Sequence, residues 1–195
     1  MWRLTPIEDK HLVRALKGID RTPHPATSNE AFFLKLLALS PASVRAYLQA
    51  KAALANGMLT LLQREQIALA VAEINGSNYC VATHEQAARH AGLGDKEILS
   101  ARNASASDPN TAAMLHFVQA VVLQRGEVSD TDFSTVKNAG FAEAEIIEIL
   151  TNVILNGFTN YFNLLARTDL GQLLERPDGT ARLAAKTMPA CSCAQ

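Results

Sequence analysis

Residues 64–84 read Arg64-Glu65-Gln66-Ile67-Ala68-Leu69-Ala70-Val71-Ala72-Glu73-Ile74-Asn75-Gly76-Ser77-Asn78-Tyr79-Cys80-Val81-Ala82-Thr83-His84. The first half is an apolar helix that Asn75-Gly76 stops, and Ser77 reads as the N-cap of the next helix. Cys80 then falls at N3, in the first turn. Free backbone N–H groups and the positive helix end favour a thiolate there. Ser77 is placed to bond the N–H of Cys80 or to offer its hydroxyl to the sulfur. His84 lies four residues on, along the same helix face. A protonated imidazole stabilises a thiolate, and a neutral one takes its proton. If the two helices pack antiparallel, Glu65 reaches His84 or the reacting oxygen. Thiolate, imidazole and carboxylate are the parts of an activated nucleophile with a proton relay. Plainer readings stand beside this one. A buried Cys is usually a small hydrophobe, Cys and His fall at helical spacing by chance, and Glu65 beside Arg64 suits a solvated helix face. Tyr79 either packs or donates near the sulfur.

Outward from this stretch the punctuation is that of consecutive helices. Thr5-Pro6-Ile7-Glu8 reads as N-cap, first-turn proline and capping-box acid, with Gly18 as the stop. Residues 21–29 form a Pro-rich loop, and a helix runs from about Asn29 to Leu39. Ser40-Pro41 caps another that ends at Asn56-Gly57. Thr60 with Gln63 starts the helix that carries Glu65. Ser77 starts a helix closed by Ala91-Gly92, Asp95 caps a short one through Arg102, and Asp108-Pro109 opens the next. Asp130 to Ala139 and Glu143 to about Arg167 complete the series. Gly157 inside the last predicts close packing of another backbone. His90-Ala91-Gly92-Leu93 and Asn138-Ala139-Gly140-Phe141 echo each other as one helix-to-helix corner used twice.

Composition agrees with an all-α chain. Of 195 residues 48% are hydrophobic and only 6% aromatic, so helix formers dominate over the β-branched and aromatic runs of strands. Eighteen basic residues against nineteen acidic ones leave a net charge of −1, with no footprint for nucleic acid or a membrane surface. No stretch reaches the about 18 apolar residues of a spanning helix. The N-terminus has no apolar signal core, and three cysteines (Cys80, Cys191 and Cys193) make no disulfide scaffold. These features predict a cytoplasmic protein. Cys80, His84 and His90 match no closed zinc site, so neither a metal nor a cofactor is expected. Asn160 and Asn163, polar on an otherwise apolar helix, are expected to line the site or cap an interface, and the habit of such side chains to bond across the helix points to the interface.

The order Glu65, eleven residues, Ser77, two residues, Cys80, three residues, His84 resembles the signature of the alkylhydroperoxidase D (AhpD-like) and carboxymuconolactone decarboxylase family. Leu59-Thr60, Arg64-Glu65, Asn78-Tyr79-Cys80 and Ala87 to Gly92 agree with it. The run Asn156 to Asn163 resembles the late helix of the family's peroxidase-related branch. The resemblance covers roughly residues 27–170. It divides the chain into an N-terminal helix and linker (1–26), an AhpD-like helical domain (27–176) and a loosely held tail (177–195).

The resemblance implies an all-α fold that associates through helical faces into dimers, trimers or hexamers. It implies reduction of organic hydroperoxides, with Cys80 as peroxidatic thiolate, His84 as its base and orienter, and Glu65 as relay acid. Ser77 stands where the family carries its resolving cysteine, so no disulfide can form within the motif. An external thiol, or Cys191 or Cys193 from the tail, would then have to reduce Cys80. The alternatives are a carboxymuconolactone decarboxylase-like enzyme that needs no redox thiol, a non-enzymatic thiol redox sensor, and a helical assembly protein with a vestigial site.

Overall fold

The computed structural model describes residues 3–18 and 28–168. The linker before residue 28, with His24 and the boundary at 26/27, and the tail with Cys191 and Cys193 lie outside them. Among the described residues every regular element is a helix. They are α1 (Asp9–Ala15), α2 (Ser28–Leu37), α3 (Pro41–Ala55), α4 (Leu61–Ile74), α5 (Asn78–His90), α6 (Asp95–Arg102), α7 (Pro109–Leu123), α8 (Asp130–Asn138) and α9 (Glu143–Ala166).

Helix α4 is the axis. Gln66 through Ala72 are all buried, because a helix that is apolar on every side is stable only when surrounded. Helices α5, α6, α7 and α9 pack around it. Ile67, Leu69 and Val71 meet Met114, Leu115 and Val118 of α7 and Ile149 and Val153 of α9 in the main core. A second cluster joins Leu16 of the α1 end, Phe33, Leu34 and Leu37 of α2, and Val44 of α3. Phe33 stacks edge-on against both Tyr47 of α3 (5.2 Å) and Phe162 of α9 (5.3 Å), which ties this cluster to the main core.

Side-chain chemistry sets most helix starts. Ser40 accepts from Ser43 N, Asp108 accepts from Thr111 N, and Thr60 and Gln63 form a reciprocal capping box. Two expected starts move. The N-cap of α1 is Glu8, not Thr5. Ile7 N donates to Lys35 O at 3.2 Å, so the chain before Asp9 is held against α2. The N-cap of α6 is Gly94, with Asp95 in the first turn. There the Asp95 carboxylate accepts from Arg89 Nε at 2.7 Å.

Three of the helix ends marked by glycine share one geometry. Ser77 N reaches Ala72 O, Leu93 N reaches Ala88 O, and Phe141 N reaches Val136 O. The glycine just before each takes a positive φ. These are Schellman turns, which consume the carbonyls left over at a helix end. The two echoed corners are therefore the same motif. Among the described residues no helix is long and apolar enough to cross a membrane.

Candidate thiol site

The Schellman turn at Asn75-Gly76-Ser77 folds α5 back along α4. It brings Glu65 of α4 to His84 of α5, with His84 Nδ1 at 2.8 Å from Glu65 Oε2. The pair is only partly screened, at 23% and 15% exposure for the two side chains. The neighbouring polar groups are structural: Arg102 of α6 pairs with both Glu73 of α4 and Glu85 of α5.

Cys80 sits one turn before His84 and is 4% exposed. Its sulfur accepts a hydrogen bond from Asn163 Nδ2 at 3.2 Å. Asn163 belongs to α9, and Thr168 Oγ1 donates to its Oδ1 at 3.1 Å, which fixes the amide's orientation. Ser77 occupies the N-cap of α5, but its side chain makes no capping bond. The expected Ser77–Cys80 N–H bond is therefore absent. At the N-cap its ψ is 84° rather than the extended value found at Ser40 or Thr60. Asn160, one turn before Asn163, is fully buried and accepts from Asn75 Nδ2 at 3.0 Å through Oδ1. Both asparagines thus face inward within the protomer.

Tyr79 is buried beside the thiol. Burial raises its phenol above the ordinary range, and the charges of Cys80, Glu30 and Tyr47 add to the effect. Three residues that sequence reasoning passed over stand around it. Glu30 of α2 pairs with Lys51 of α3, and the Lys51 ammonium lies 5.9 Å from the Tyr47 ring centroid. Burial opposes the Lys51 charge, but Tyr47, Glu30 and Glu65 outweigh it and hold the ammonium above its ordinary value. Burial likewise raises Tyr47, against the pull of Lys51 and with help from Glu30 and Cys80. Only the i, i+3 pair Asn160/Asn163 on an apolar helix carried a sequence signal. Tyr47 and Lys51 carried none.

His90 Nδ1 is engaged by Gln86 O, and His116 lies 3.3 Å from Asp132. Among the described residues no group of three or more His, Cys, Asp or Glu side chains is placed to hold a metal ion. Two open surface grooves, one at Gln63, Thr111 and Glu145 of α4, α7 and α9, the other at His11 and Arg45 of α1 and α3, are not lined by Cys80.

These features define a class: an all-helical protein with a buried thiol in a helix's first turn and a His–Glu pair one turn away. The model of the carboxymuconolactone decarboxylase family matches residues 41–123, from α3 through α7. The fold is AhpD-like. A protein from Agrobacterium tumefaciens described as an antioxidant defence protein of AhpD type has 24% identity and a TM-score of 0.62, over 67% of this chain and 92% of its own. An AhpD-core, peroxidase-related protein from Ralstonia eutropha has 23% identity and a TM-score of 0.65, over 82% and 83%. The debrominase Bmp8, in a cysteine-to-alanine variant with 2,3,4-tribromopyrrole, has 17% identity and a TM-score of 0.67, over 86% and 90%. No curated protein matches the chain in sequence.

Proposed function

We propose that this chain is a thiol-dependent hydroperoxide reductase with Cys80 as its nucleophile. The observation that carries the reading is a buried sulfur that accepts a hydrogen bond from Asn163, one helical turn from a His84–Glu65 pair at 2.8 Å. The Asn163 amide donor holds the sulfur in a fixed position for attack. Glu65 accepts from the Nδ1–H of His84 and so leaves Nε2 to serve the substrate. The thiolate attacks the terminal peroxide oxygen, the O–O bond breaks, and His84 supplies the proton to the departing alkoxide. An external thiol then condenses with the sulfenic acid, releasing water, and a second thiol frees Cys80. Cys191 or Cys193 of the same chain is an alternative first thiol. The partners in this reading are a small hydroperoxide, a thiol reductant in a reducing cytoplasm, and further copies of the chain along the outer face of α9.

A second reading is reductive dehalogenation, favoured by the shared fold of the debrominase. A thiolate that attacks an electrophilic oxygen also attacks an electrophilic halogen. One experiment separates them. Reduced protein receives one equivalent of cumene hydroperoxide, then dimedone, and is mapped by mass spectrometry beside Cys80→Ser. A dimedone adduct at Cys80, absent in the variant, is the expected result. A disulfide from Cys80 to Cys191 or Cys193 assigns the reducing thiol to the tail. An unmodified Cys80 overturns the peroxidase reading, and Cys80-dependent loss of bromide from 2,3,4-tribromopyrrole by the same sample would then establish the second.

A further inference from the structure

Two buried polar atoms have no hydrogen-bond partner among the described residues: Ser77 Oγ and Asn160 Nδ2. Ser77 is 1% exposed and Asn160 0%. An unpaired buried donor costs folding free energy, so native proteins keep few of them. Both border the α4–α5 connection, Ser77 within it and Asn160 from α9. Asn75 holds Asn160 Oδ1 against the α4–α5 connection, and Ser77 closes that connection. With Oδ1 already accepting from Asn75, the end of the Asn160 amide left over is the donor. Asn163 lies three residues further along α9 and so shares a face with Asn160. Its own donor is already on Cys80 Sγ.

We propose that Ser77, Asn160 and Asn163 form a donor cradle for an oxygen atom carried on Cys80. This rests on the peroxidase reading. In the first step the thiolate's electron pair forms the S–O bond, the peroxide O–O bond breaks, and the alkoxide leaves and takes a proton. Sulfur is oxidised by two electrons and the peroxide is reduced by two. The new oxygen is created where Cys80 is almost fully buried, so it depends on protein donors rather than water. Asn163 serves the sulfur before and after the step, whereas Ser77 and Asn160 acquire a partner only after it. A sulfenate held in this way is a poorer nucleophile toward a second peroxide, the step that gives sulfinate. The device suits a chain with a hydroxyl at position 77, because its oxidised sulfur must wait for a thiol from elsewhere.

The test uses the full chain and the variants Ser77→Ala and Asn160→Asp. Ser77→Ala removes an unpaired hydroxyl. Asn160→Asp keeps the acceptor that Asn75 needs and loses the donor. Three quantities are read by peptide mapping and thermal melts: the iodoacetamide alkylation rate of Cys80, the lifetime of its dimedone-trappable sulfenic acid under excess cumene hydroperoxide, and Tm. In both variants the sulfenic acid should pass to sulfinate at least about tenfold faster than in the parent. For Ser77→Ala, alkylation should stay within about twofold and Tm should not fall. Unchanged lifetimes in both variants overturn the cradle, as does a shortened lifetime matched by an equal change in alkylation rate, which marks a structural role. A parent protein that forms no sulfenic acid at Cys80 overturns the peroxidase reading itself, and the cradle with it.

Discussion

His84 spends Nδ1 on Glu65 Oε2, so its reach toward a substrate runs through Nε2. His84→Gln removes the proton and should lower the rate of Cys80 oxidation by about a hundredfold or more. Stopped-flow consumption of cumene hydroperoxide under pseudo-first-order conditions reads this directly. A rate unchanged by the substitution would remove His84 from the chemistry. Tyr79 offers a different test. Its phenol is raised above the ordinary value of 10.0 by burial first and by its anionic neighbours second. The folded state therefore binds that proton more tightly than the unfolded state. The stabilisation is complete below about pH 10 and is lost as the pH climbs beyond it. Tyr79→Phe has no proton to lose, so its urea midpoint should fall less than the parent's between about pH 9 and about pH 11. An equal fall in both would place the alkaline loss elsewhere.

At the level of single helices, Gly157 carries a clear prediction. The sequence suggests close packing there, but a Cβ at Gly157 would meet nothing within 4 Å. Gly157→Ala should therefore stabilise the protein by about 1 kcal/mol, the ordinary helix-propensity difference, visible as a higher urea midpoint. Gly57 behaves oppositely. A Cβ there would overlap the Glu148 carboxylate, which accepts from Met58 N at 2.8 Å and Leu59 N at 3.1 Å and so anchors the entry to α4. Gly57→Ala should lower the same midpoint. The contrast explains what sequence could deliver. Caps such as Ser40, Thr60 and Asp108 were legible because donor and acceptor lie three residues apart, and local chemistry decides them. The start of α1 was not, because Lys35 of α2 holds Ile7 there. The Glu65–His84 contact followed from one antiparallel turn. The Asn163–Cys80 bond did not, because 83 positions separate the partners and only the folded core brings them together.

At the scale of the molecule, the outer face of α9 is an apolar surface left exposed among the described residues. Ile147, Leu150, Ile154, Phe158, Tyr161 and Leu165 recur at three- and four-residue steps and remain exposed, Ile154 at 64%. The proposed self-association would use this apolar stripe. Ile154→Asp should shift the sedimentation profile toward monomer while far-ultraviolet circular dichroism stays unchanged. A profile identical to the parent's would place any association elsewhere. The all-α architecture was legible because apolar spacing and caps recur along the chain. The central place of α4 followed less directly, since a helix apolar on every side shows no face by which to orient it.

Helix α9 also supplies Glu148 to the entry of α4 and Asn163 to the sulfur. During synthesis, then, Cys80 leaves the ribosome long before the side chain that hydrogen-bonds to it. The thiol acquires its finished surroundings only once α9 has also emerged, so this site matures after the helices on which Cys80 and its neighbours lie.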